Sequence, residues 1–351
     1  MPCYPSSLRL LLCLYCCSTL VIGPAKKPVR LSALPPRVLA VPTETRRERA
    51  LGLFLVWLQT NLRSELSLDE LACRPRILSG LLNRWGHSLY KEGAPYYLFS
   101  EGINRIVDYH RHLKGQLTEA WDAARVWMDL HPPQHRPPIP LLILRAMMSV
   151  ALWKGWIFFA AVILLCFEGA LRLADVLQAQ RIHIMITDTL RSQKSALFIK
   201  VSEPKSRRRG ARSQHASTTN AEVIALWNAL CTRLQPLEMI YPFSQGTFRK
   251  QWQTIMKELN LHDYSLTPAC LRGGGAVQRY LNGHSVADIQ WTMRIKDQTT
   301  LRHYLQEVVV DEILAKLPEG TFRKLQFLEA VSSKLVLEAL HKIGPHHNKF
   351  R

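Results

Sequence analysis

Apolar residues recur at helical spacing through most of the chain, which predicts a mainly α-helical protein. The clearest stripe in the first half consists of residues at helical spacing: Ile103, Ile106, Val107, His110 and Leu113. A second stripe follows directly: Leu117, Trp121, Ala124 and Met128. Periodic stripes of this kind usually pack in a core rather than bind ligands. They predict a small helical domain, which we place at residues 46–133.

A proline-rich segment, HPPQHRPPIP, interrupts the helical pattern at residues 131–140. Proline cannot continue a helix, and it biases the residue before it toward an extended conformation. We therefore predict a linker at residues 134–140 and a second domain at residues 141–320. The amphipathic stretch that follows predicts a C-terminal helix and a basic tail at residues 321–351.

Residues 141–180 keep helical spacing, whereas residues 181–201 are rich in β-branched side chains and predict two short strands. The run from Trp156 to Phe167 is apolar throughout; it is too short to cross a bilayer and is typical of a buried helix. Helical spacing resumes at about residue 221. The second domain is therefore predicted to be mainly α with a small β-sheet.

The charge of the chain narrows its possible partners. The sequence has 46 Lys and Arg residues against 27 Asp and Glu residues, for a net charge of +19. Such an excess favours a polyanionic partner, either nucleic acid or an anionic membrane surface, and a basic surface without a dedicated partner is the open alternative. The 8 cysteines form neither a complete zinc motif nor a disulfide framework, which fits a reducing compartment.

Residues 1–45 form an N-terminal extension with two parts. Residues 8–23 combine a basic lead with an apolar stretch, as a secretory signal does, but a misassigned gene start would give the same pattern. Residues 24–45 are rich in proline and basic residues and predict a linker or an extended arm. If the polyanionic partner is nucleic acid, secretion would serve little purpose, and we then expect a nuclear or other DNA-associated location and no membrane partner.

Three segments of the second half carry candidate chemistry. In FEGALRLADVLQAQ, Asp175 follows Arg172 by three residues, a spacing at which a carboxylate can orient a guanidinium. In SLTPACLRGGGAVQRYLNG, Arg272 precedes small residues that allow a helix to pack closely. In DIQWTMRIKDQTTLRHYLQE, Thr300 precedes Tyr304.

In their order and spacing, these segments resemble the tyrosine recombinase (phage-integrase) family, and among its members the recombinases of eukaryotic mobile elements of the DIRS-type and Crypton groups. The resemblance implies a helical core-binding (SAM-like) DNA-binding domain in the first half and a recombinase catalytic domain in the second. It implies four catalytic residues and two supporting residues: Arg172, Lys205, Arg272 and Tyr304, and Asp175 and Thr300.

Members of this family cleave DNA by attack of a tyrosine phenol oxygen on a phosphodiester, which gives a 3′-phosphotyrosyl bond and a free 5′-hydroxyl. Two guanidiniums can bind the nonbridging oxygens of the transition state, and a lysine can protonate the leaving oxygen. The resemblance implies no metal, cofactor or small-molecule substrate, because the covalent link conserves the bond energy for religation. The implied partners are double-stranded DNA and further copies of the chain, in a tetramer on paired sites.

The basic run KSRRRGAR follows the second predicted strand, where the family has a β-hairpin beside its catalytic site. A basic run is often only a solvated loop. Its place on a hairpin beside the site favours contacts with DNA phosphates, and four arginines are the candidates: Arg207, Arg208, Arg209 and Arg212.

Two positions depart from the family pattern. Ala269 stands three residues before Arg272, where the family has histidine, and Ile295 stands where it has histidine or tryptophan. The preceding glycine is replaced by Met293 or Arg294, depending on the alignment. Loss of a positioned acid or base typically costs a factor of about 10²–10⁴ in rate. Two hypotheses therefore stay open: a recombinase that cleaves and rejoins DNA, or a decayed recombinase that binds DNA without strand cleavage.

His303 directly precedes Tyr304 and could in principle replace a missing histidine. Because neighbouring residues of a helix point about 100° apart, we expect its side chain to face away from that of Tyr304.

Overall fold

A computed structural model of the chain describes residues 39–62, 67–132, 136–188, 195–202 and 214–344. The chain forms two compact units, residues 1–133 and 134–351, and the division falls within the proline-rich segment. Each unit has its own hydrophobic core. Within the described ranges, none of the helices is both long enough and apolar enough to span a membrane.

The first unit is helical throughout its described residues. Its helices are α1 (Val41–Leu62), α2 (Leu68–Ala72), α3 (Pro75–Lys91), α4 (Tyr96–Tyr109) and α5 (Thr118–Leu130). Helix α1 packs against α4 and α3 packs against α5. An aromatic group lies at the centre of this core, where the ring centroid of Trp85 is 5.2 Å from that of Phe54 and 6.0 Å from that of Phe99.

Two details of the first unit differ from the sequence prediction. Helix α1 begins at Val41, within the segment predicted to be a linker. Helix α4 ends at Tyr109, so Leu113 lies in the short 3₁₀ turn that follows and is buried from there.

A buried ion pair fastens α1 to α4, since Arg47 Nε lies 2.7 Å from a Glu101 carboxylate oxygen.

The second unit combines helices with a small sheet. Its helices are α6 (Leu141–Trp153), α7 (Ile157–Glu168), α8 (Leu173–Leu177), α9 (Ala221–Cys231), α10 (Gln245–Glu258), α11 (Cys270–Leu281), α12 (Val286–Met293), α13 (Gln298–Arg302), α14 (Glu307–Ala315), α15 (Glu319–Ala330) and α16 (Ser332–Ile343). Side-chain caps fix where several of these helices begin. Asn220, Ser244 and Asp297 accept hydrogen bonds from the first free backbone N–H groups of α9, α10 and α13.

The apolar run predicted to be a buried helix is α7, and its residues from Phe159 to Phe167 are all buried. Helices α6, α9 and α11 pack around α7. Because α7 is apolar on every side, it can be covered on every side, and it forms the centre of the second core.

The described residues include one antiparallel sheet of three strands in the order β1 (Ile184–Asp188), β2 (Ser195–Val201) and β3 (Gln214–Thr218). The two predicted strands are confirmed, and the third was missed. Strand β3 has the sequence QHAST, which lacks an apolar run, although its residues alternate between buried and exposed positions. It forms because β2 provides a partner edge, with Ile199 opposite Ala216.

The C-terminal segment predicted to be one helix is two helices, α15 and α16, which meet at Val331. Helix α15 packs against α6, and α16 packs against α6 and α9 of the same chain. The Ser149 hydroxyl of α6 donates a 2.6 Å hydrogen bond to the Leu328 carbonyl of α15. These helices therefore complete the core of their own unit.

The glycines of α11 provide a test of its packing. A Cβ added to Gly275 would overlap the carbonyl oxygen of Phe167 in α7, so we expect Gly275→Ala to lower the free energy of unfolding by roughly 2–4 kcal/mol. In the same helix, a Cβ on Gly273 would meet Pro138 at an ordinary 3.5 Å, so Gly273→Ala should be neutral or slightly stabilising. Thermal or urea unfolding of both variants measures this difference. Equal stability of the two would contradict the close packing of α11 on α7.

Candidate active site

The helical spacing of residues 141–180 predicted that Arg172 lies within a helix. In the structure Arg172 instead lies at the start of α8. Helix α7 ends at Glu168, and Ala170 has a left-handed backbone with φ 44°. Arg172 then has an extended backbone and forms the N-cap of α8. The left-handed Ala170 and the extended backbone of Arg172 therefore separate α7 from α8.

Asp175 faces Arg172 from the first turn of α8. Its carboxylate oxygen Oδ2 lies 3.8 Å from Arg172 Nη1, which is an ion pair but too long for a hydrogen bond. The side chain of Asp175 is 8% exposed, and Oδ2 is buried without a hydrogen-bond donor. Arg172 and Asp175 therefore form the predicted ion pair, but Asp175 Oδ2 accepts no hydrogen bond from Arg172.

Arg272 is buried in α11 and is only partly satisfied. The residue is 3% exposed, and its Nη2 donates a hydrogen bond to the Met293 carbonyl. Its Nε and Nη1 atoms are buried without an acceptor. Burial, followed by the charges of Arg172 and Arg294, lowers the pKa of Arg272 to about 9. The guanidinium is thus still charged at neutral pH, with two N–H donor positions left for another group.

Tyr304 lies in the turn after α13, beside Arg272. The Cζ atom of Arg272 is 5.7 Å from the centroid of the tyrosine ring. A guanidinium at this distance from an aromatic ring interacts favourably with it. Beneath the ring lies a small apolar cluster, to which Ile289, Met293 and Leu301 contribute buried side chains. The Tyr304 side chain is therefore positioned both by apolar packing and by the nearby guanidinium of Arg272.

A cleft of about 650 Å³ joins these residues, and we call it the arginine cleft. Four arginines contribute to its lining: Arg136, Arg172, Arg249 and Arg272. Tyr304 and Ala269 line it as well, and none of its lining residues, all within the described part of the chain, is acidic. A cleft with cations and no carboxylate attracts anions, and several arginines at once favour phosphate groups.

A smaller cleft of about 340 Å³ lies on the other side of Tyr304. Thr300, His303 and Tyr304 share its lining. His303 is the C-cap of α13 and keeps a helical backbone with φ −70° and ψ −14°, and it borders this cleft together with Tyr304. Thr300 lies close to the site but not in the arginine cleft.

The two departures from the family pattern differ in their surroundings. Ala269 lines both clefts, so a position that the resemblance assigns to histidine is occupied there by a methyl group. Ile295 instead packs against the apolar cluster beneath Tyr304. The residue before it, Arg294, has a left-handed backbone with φ 55° at the end of α12, and Met293 belongs to the helix. The backbone of Arg294 thus has the conformation that glycine adopts most readily.

Lys205 and the four candidate DNA-binding arginines, Arg207, Arg208, Arg209 and Arg212, lie outside the described residues. The strands β2 and β3 are antiparallel neighbours, with Val201 paired with Gln214. Within the part of the chain that the structure describes, no group of three or more His, Cys, Asp or Glu side chains could hold a metal ion.

Sequence reasoning missed three arginines at or near this site: Arg136, Arg249 and Arg294. Arg249 had a detectable signal, because Gln245, Arg249 and Gln253 follow one another at four-residue intervals and form the polar face of α10. Arg136 lies between the prolines of the interdomain segment, and no periodicity distinguishes it there.

No protein-family model matches the chain, and no curated protein matches it in sequence. Solved structures do match. One is the Tn1549 transposon integrase (residues 82–397 of that protein, Y379F) in complex with transposon right end DNA, with a TM-score of 0.52 and 14% identity over 79% of this chain and 93% of that one. Another is the same integrase in complex with circular intermediate DNA, with a TM-score of 0.53 and 13% identity over 80% and 94% of the two chains. The chain therefore has a mainly α tyrosine-recombinase fold with a small antiparallel sheet, as its sequence predicted.

The environment of Asp175 gives a stability test. Because its carboxylate lies among several guanidiniums, Asp175→Asn should leave those charges less balanced and lower the free energy of unfolding by roughly 1–3 kcal/mol. The matched control is Asp311→Asn, an exposed change of the same chemistry in α14, which should cost less than about 0.5 kcal/mol. Urea unfolding at neutral pH compares the two. An unchanged stability of Asp175→Asn would mean that the carboxylate does not offset the arginines.

Proposed function

We propose that this protein breaks and rejoins DNA strands through a covalent phosphotyrosyl intermediate at Tyr304. The observation that carries the proposal is the meeting of Arg172, Arg272 and Tyr304 in one cleft, although they are far apart in the sequence. Apolar packing alone does not explain why two guanidiniums lie beside this tyrosine. The absence of any acidic side chain from the lining of that cleft, which lies within the described residues, supports a phosphodiester as the substrate.

The reaction follows from the atoms present. The Tyr304 oxygen attacks phosphorus, a phosphorus–oxygen bond forms, the bond to the 5′-oxygen breaks, and the phenol proton passes to solvent water. Negative charge grows on the nonbridging oxygens, where Arg172 and Arg272 donate charge-assisted hydrogen bonds. Lys205 is proposed as the acid that protonates the leaving 5′-oxygen. Attack by a 5′-hydroxyl on the phosphotyrosine reverses the step and releases Tyr304.

The partner proposed for this site is double-stranded DNA. The net charge of +19 and the lining of the arginine cleft support it, as do the solved integrase structures of the same fold in complex with DNA. In this proposal the first unit is the core-binding domain, the basic run after β2 contacts phosphates, and copies of the chain assemble on paired sites in the nucleus or another DNA-containing compartment. An origin in a eukaryotic mobile element is likewise a proposal and rests on the sequence motifs.

A second candidate function, DNA binding without strand cleavage, is favoured by the surroundings of two side chains. The methyl group of Ala269 faces both clefts, and Ile295 is engaged in an apolar cluster. Neither can move a proton or donate a hydrogen bond to phosphate. A chain with these side chains could still bind DNA but would cleave its strands more slowly.

A suicide-substrate assay tests strand cleavage. A nicked duplex that loses its short 5′-hydroxyl fragment on cleavage should trap the protein as a covalent adduct, detected as a band shift in a denaturing gel. We expect Tyr304→Phe to abolish the adduct, since it removes the attacking oxygen, whereas Tyr280→Phe, which changes an exposed tyrosine of α11, should leave it unchanged. An adduct that survives Tyr304→Phe would exclude Tyr304 as the nucleophile.

The arginine variants separate the two candidate functions. Arg172→Ala and Arg272→Ala should each lower the rate of adduct formation by roughly 10²–10⁴-fold while duplex affinity falls far less, because most affinity comes from other cations. Adduct kinetics and salt-dependent binding measure these quantities side by side. If the unaltered chain binds duplex DNA in a salt-sensitive way but forms no adduct, the result would instead support DNA binding without strand cleavage.

A further inference from the structure

The chain leaves α7 through a tight C-terminal motif. Ala170 has a left-handed backbone with φ 44°, in the region that glycine adopts without steric cost. The Ala170 N–H donates to the Phe167 carbonyl at 3.1 Å, and the Leu171 N–H donates to the Cys166 carbonyl at 2.9 Å. These two hydrogen bonds form a Schellman motif, which satisfies two terminal carbonyls of the helix. The next carbonyl, that of Glu168, receives no hydrogen bond from the motif itself.

A side chain of α11 supplies the missing donor. Arg279 Nη2 donates a hydrogen bond to the Glu168 carbonyl. A cation is favourable at this place, because the last carbonyls of a helix carry the negative end of its dipole. Burial lowers the pKa of Arg279, the charge of Glu168 acts in the opposite direction, and Arg279 Nε is buried without an acceptor among the described residues. The contact with the end of α7 therefore carries a desolvation cost that a fully solvated arginine would avoid.

Arg279 lies on the face of α11 that also carries Arg272. The two residues are two helical turns apart, and Gly275 lies between them on the same face. A Cβ on Gly275 would overlap the Phe167 carbonyl oxygen, so this face of α11 lies directly against the end of α7. One helix therefore carries a cleft arginine near its start and, two turns later, holds the segment that leads to Arg172.

A second hydrogen bond holds Glu168 by its side chain. Asn220 Nδ2 donates to Glu168 Oε1 at 3.1 Å. The orientation of this amide is fixed, because Asn220 Oδ1 accepts from the N–H groups of Glu222 and Val223 at the start of α9. The Asn220 N–H donates to the hydroxyl of Thr218, the last residue of β3, at 3.1 Å. Glu168 is thus held through its carbonyl by α11 and through its carboxylate by the junction of β3 and α9.

We propose that Arg279 and Asn220 are positioning residues, which hold the end of α7 so that Arg172 keeps its place in the cleft that it shares with Arg272. Neither Arg279 nor Asn220, both described residues, lines the arginine cleft, so they act through the chain that connects Glu168 to Arg172. The hold on α7 does not depend on strand cleavage. Its effect on strand cleavage rests on the proposed function.

Amide hydrogen exchange of the full chain tests the hold on α7. Arg279→Met keeps an unbranched apolar stem and removes the donor, so peptides covering residues 165–175 should exchange roughly tenfold faster. Arg233→Met is the matched control, because Arg233 Nη2 donates a 2.7 Å hydrogen bond to the Ile343 carbonyl at the end of α16. It should speed exchange at the end of α16 alone. Unchanged exchange at residues 165–175 in Arg279→Met would overturn the proposal.

The suicide substrate tests whether this hold positions Arg172. At saturating duplex and well below the Tm, Arg279→Met should slow adduct formation by roughly 10–100-fold with little change in duplex affinity, since small displacements of a catalytic group have effects of this size. Arg279→Lys keeps a cationic donor and should recover part of the rate, whereas Arg233→Met should keep all of it. An adduct rate that Arg279→Met leaves unchanged would reduce Arg279 to a helix cap and contradict the positioning role.

Asn220→Asp tests the second hydrogen bond without loss of the α9 cap. Aspartate caps a helix as well as asparagine does, but it has no donor for Glu168 Oε1. We expect slower adduct formation and faster exchange at residues 165–175, with the exchange of α9 unchanged. A normal adduct rate in Asn220→Asp would exclude Asn220 from the positioning role.

A double variant separates positioning from a general loss of structure. If Arg279 acts through Arg172, Arg279→Met should cost less than about twofold in a chain that already carries Arg172→Ala. Full multiplication of the two losses would overturn the proposal, because Arg279 would then affect the rate independently of Arg172.

Inorganic phosphate separates this proposal from strand cleavage. Phosphate, compared with chloride at equal ionic strength, should raise the Tm of the unaltered chain by binding at Arg172 and Arg272, and Arg279→Met should reduce that increase. If the unaltered chain forms no adduct, the proposed cleavage is contradicted and the phosphate effect decides on Arg279. A smaller increase in Arg279→Met than in Arg233→Met would then support the positioning role. An equal increase in the two variants, or none in the unaltered chain, would overturn it.

Discussion

The backbone of α11 approaches its neighbours so closely that side chains are excluded, and the candidate site depends on this approach. A Cβ on Gly274 would overlap the Ile139 carbonyl, and one on Gly275 would overlap the Phe167 carbonyl. Arg272 begins the same turn of α11, and α7 leads within a few residues to Arg172. A wider gap between the two helices would separate the two guanidiniums. Arg172 and Arg272 thus come together because Gly274 and Gly275 have no side chains to hold α11 away from its neighbours.

Like charges brought together in this way oppose folding. Arg272 is almost fully buried, has two donor atoms without acceptors, and lies under the influence of two further arginines. The large apolar core around α7 offsets the cost, since hydrophobic burial there is extensive and the charged group is small. Sites that bind charged ligands commonly hold such unfavourable arrangements in the free protein, and ligand binding relieves them.

The two departures from the family pattern show that packing and chemistry at one position can separate. Ile295 joins the apolar cluster on which Tyr304 rests, so a large apolar side chain there still supports the tyrosine. Ala269 contributes only a methyl group to the cleft surface. The packing that supports Tyr304 therefore does not require a polar side chain at position 269 or 295, because the cluster beneath the ring is apolar.

The sequence by itself determined the helical class, the buried helix α7, the strands β1 and β2, and the order of Arg172, Arg272 and Tyr304. These follow from local periodicity and from motifs, which depend on residues near one another in the chain. It did not reveal β3, whose polar sequence becomes a strand only beside β2, or the extended backbone of Arg172 after the left-handed Ala170. Nor could it reveal that the guanidinium of Arg272 lies beside the ring of Tyr304, because that contact depends on how α11 packs near the turn after α13. Tertiary structure decided these features, since burial and charge balance depend on what the rest of the fold brings alongside each side chain.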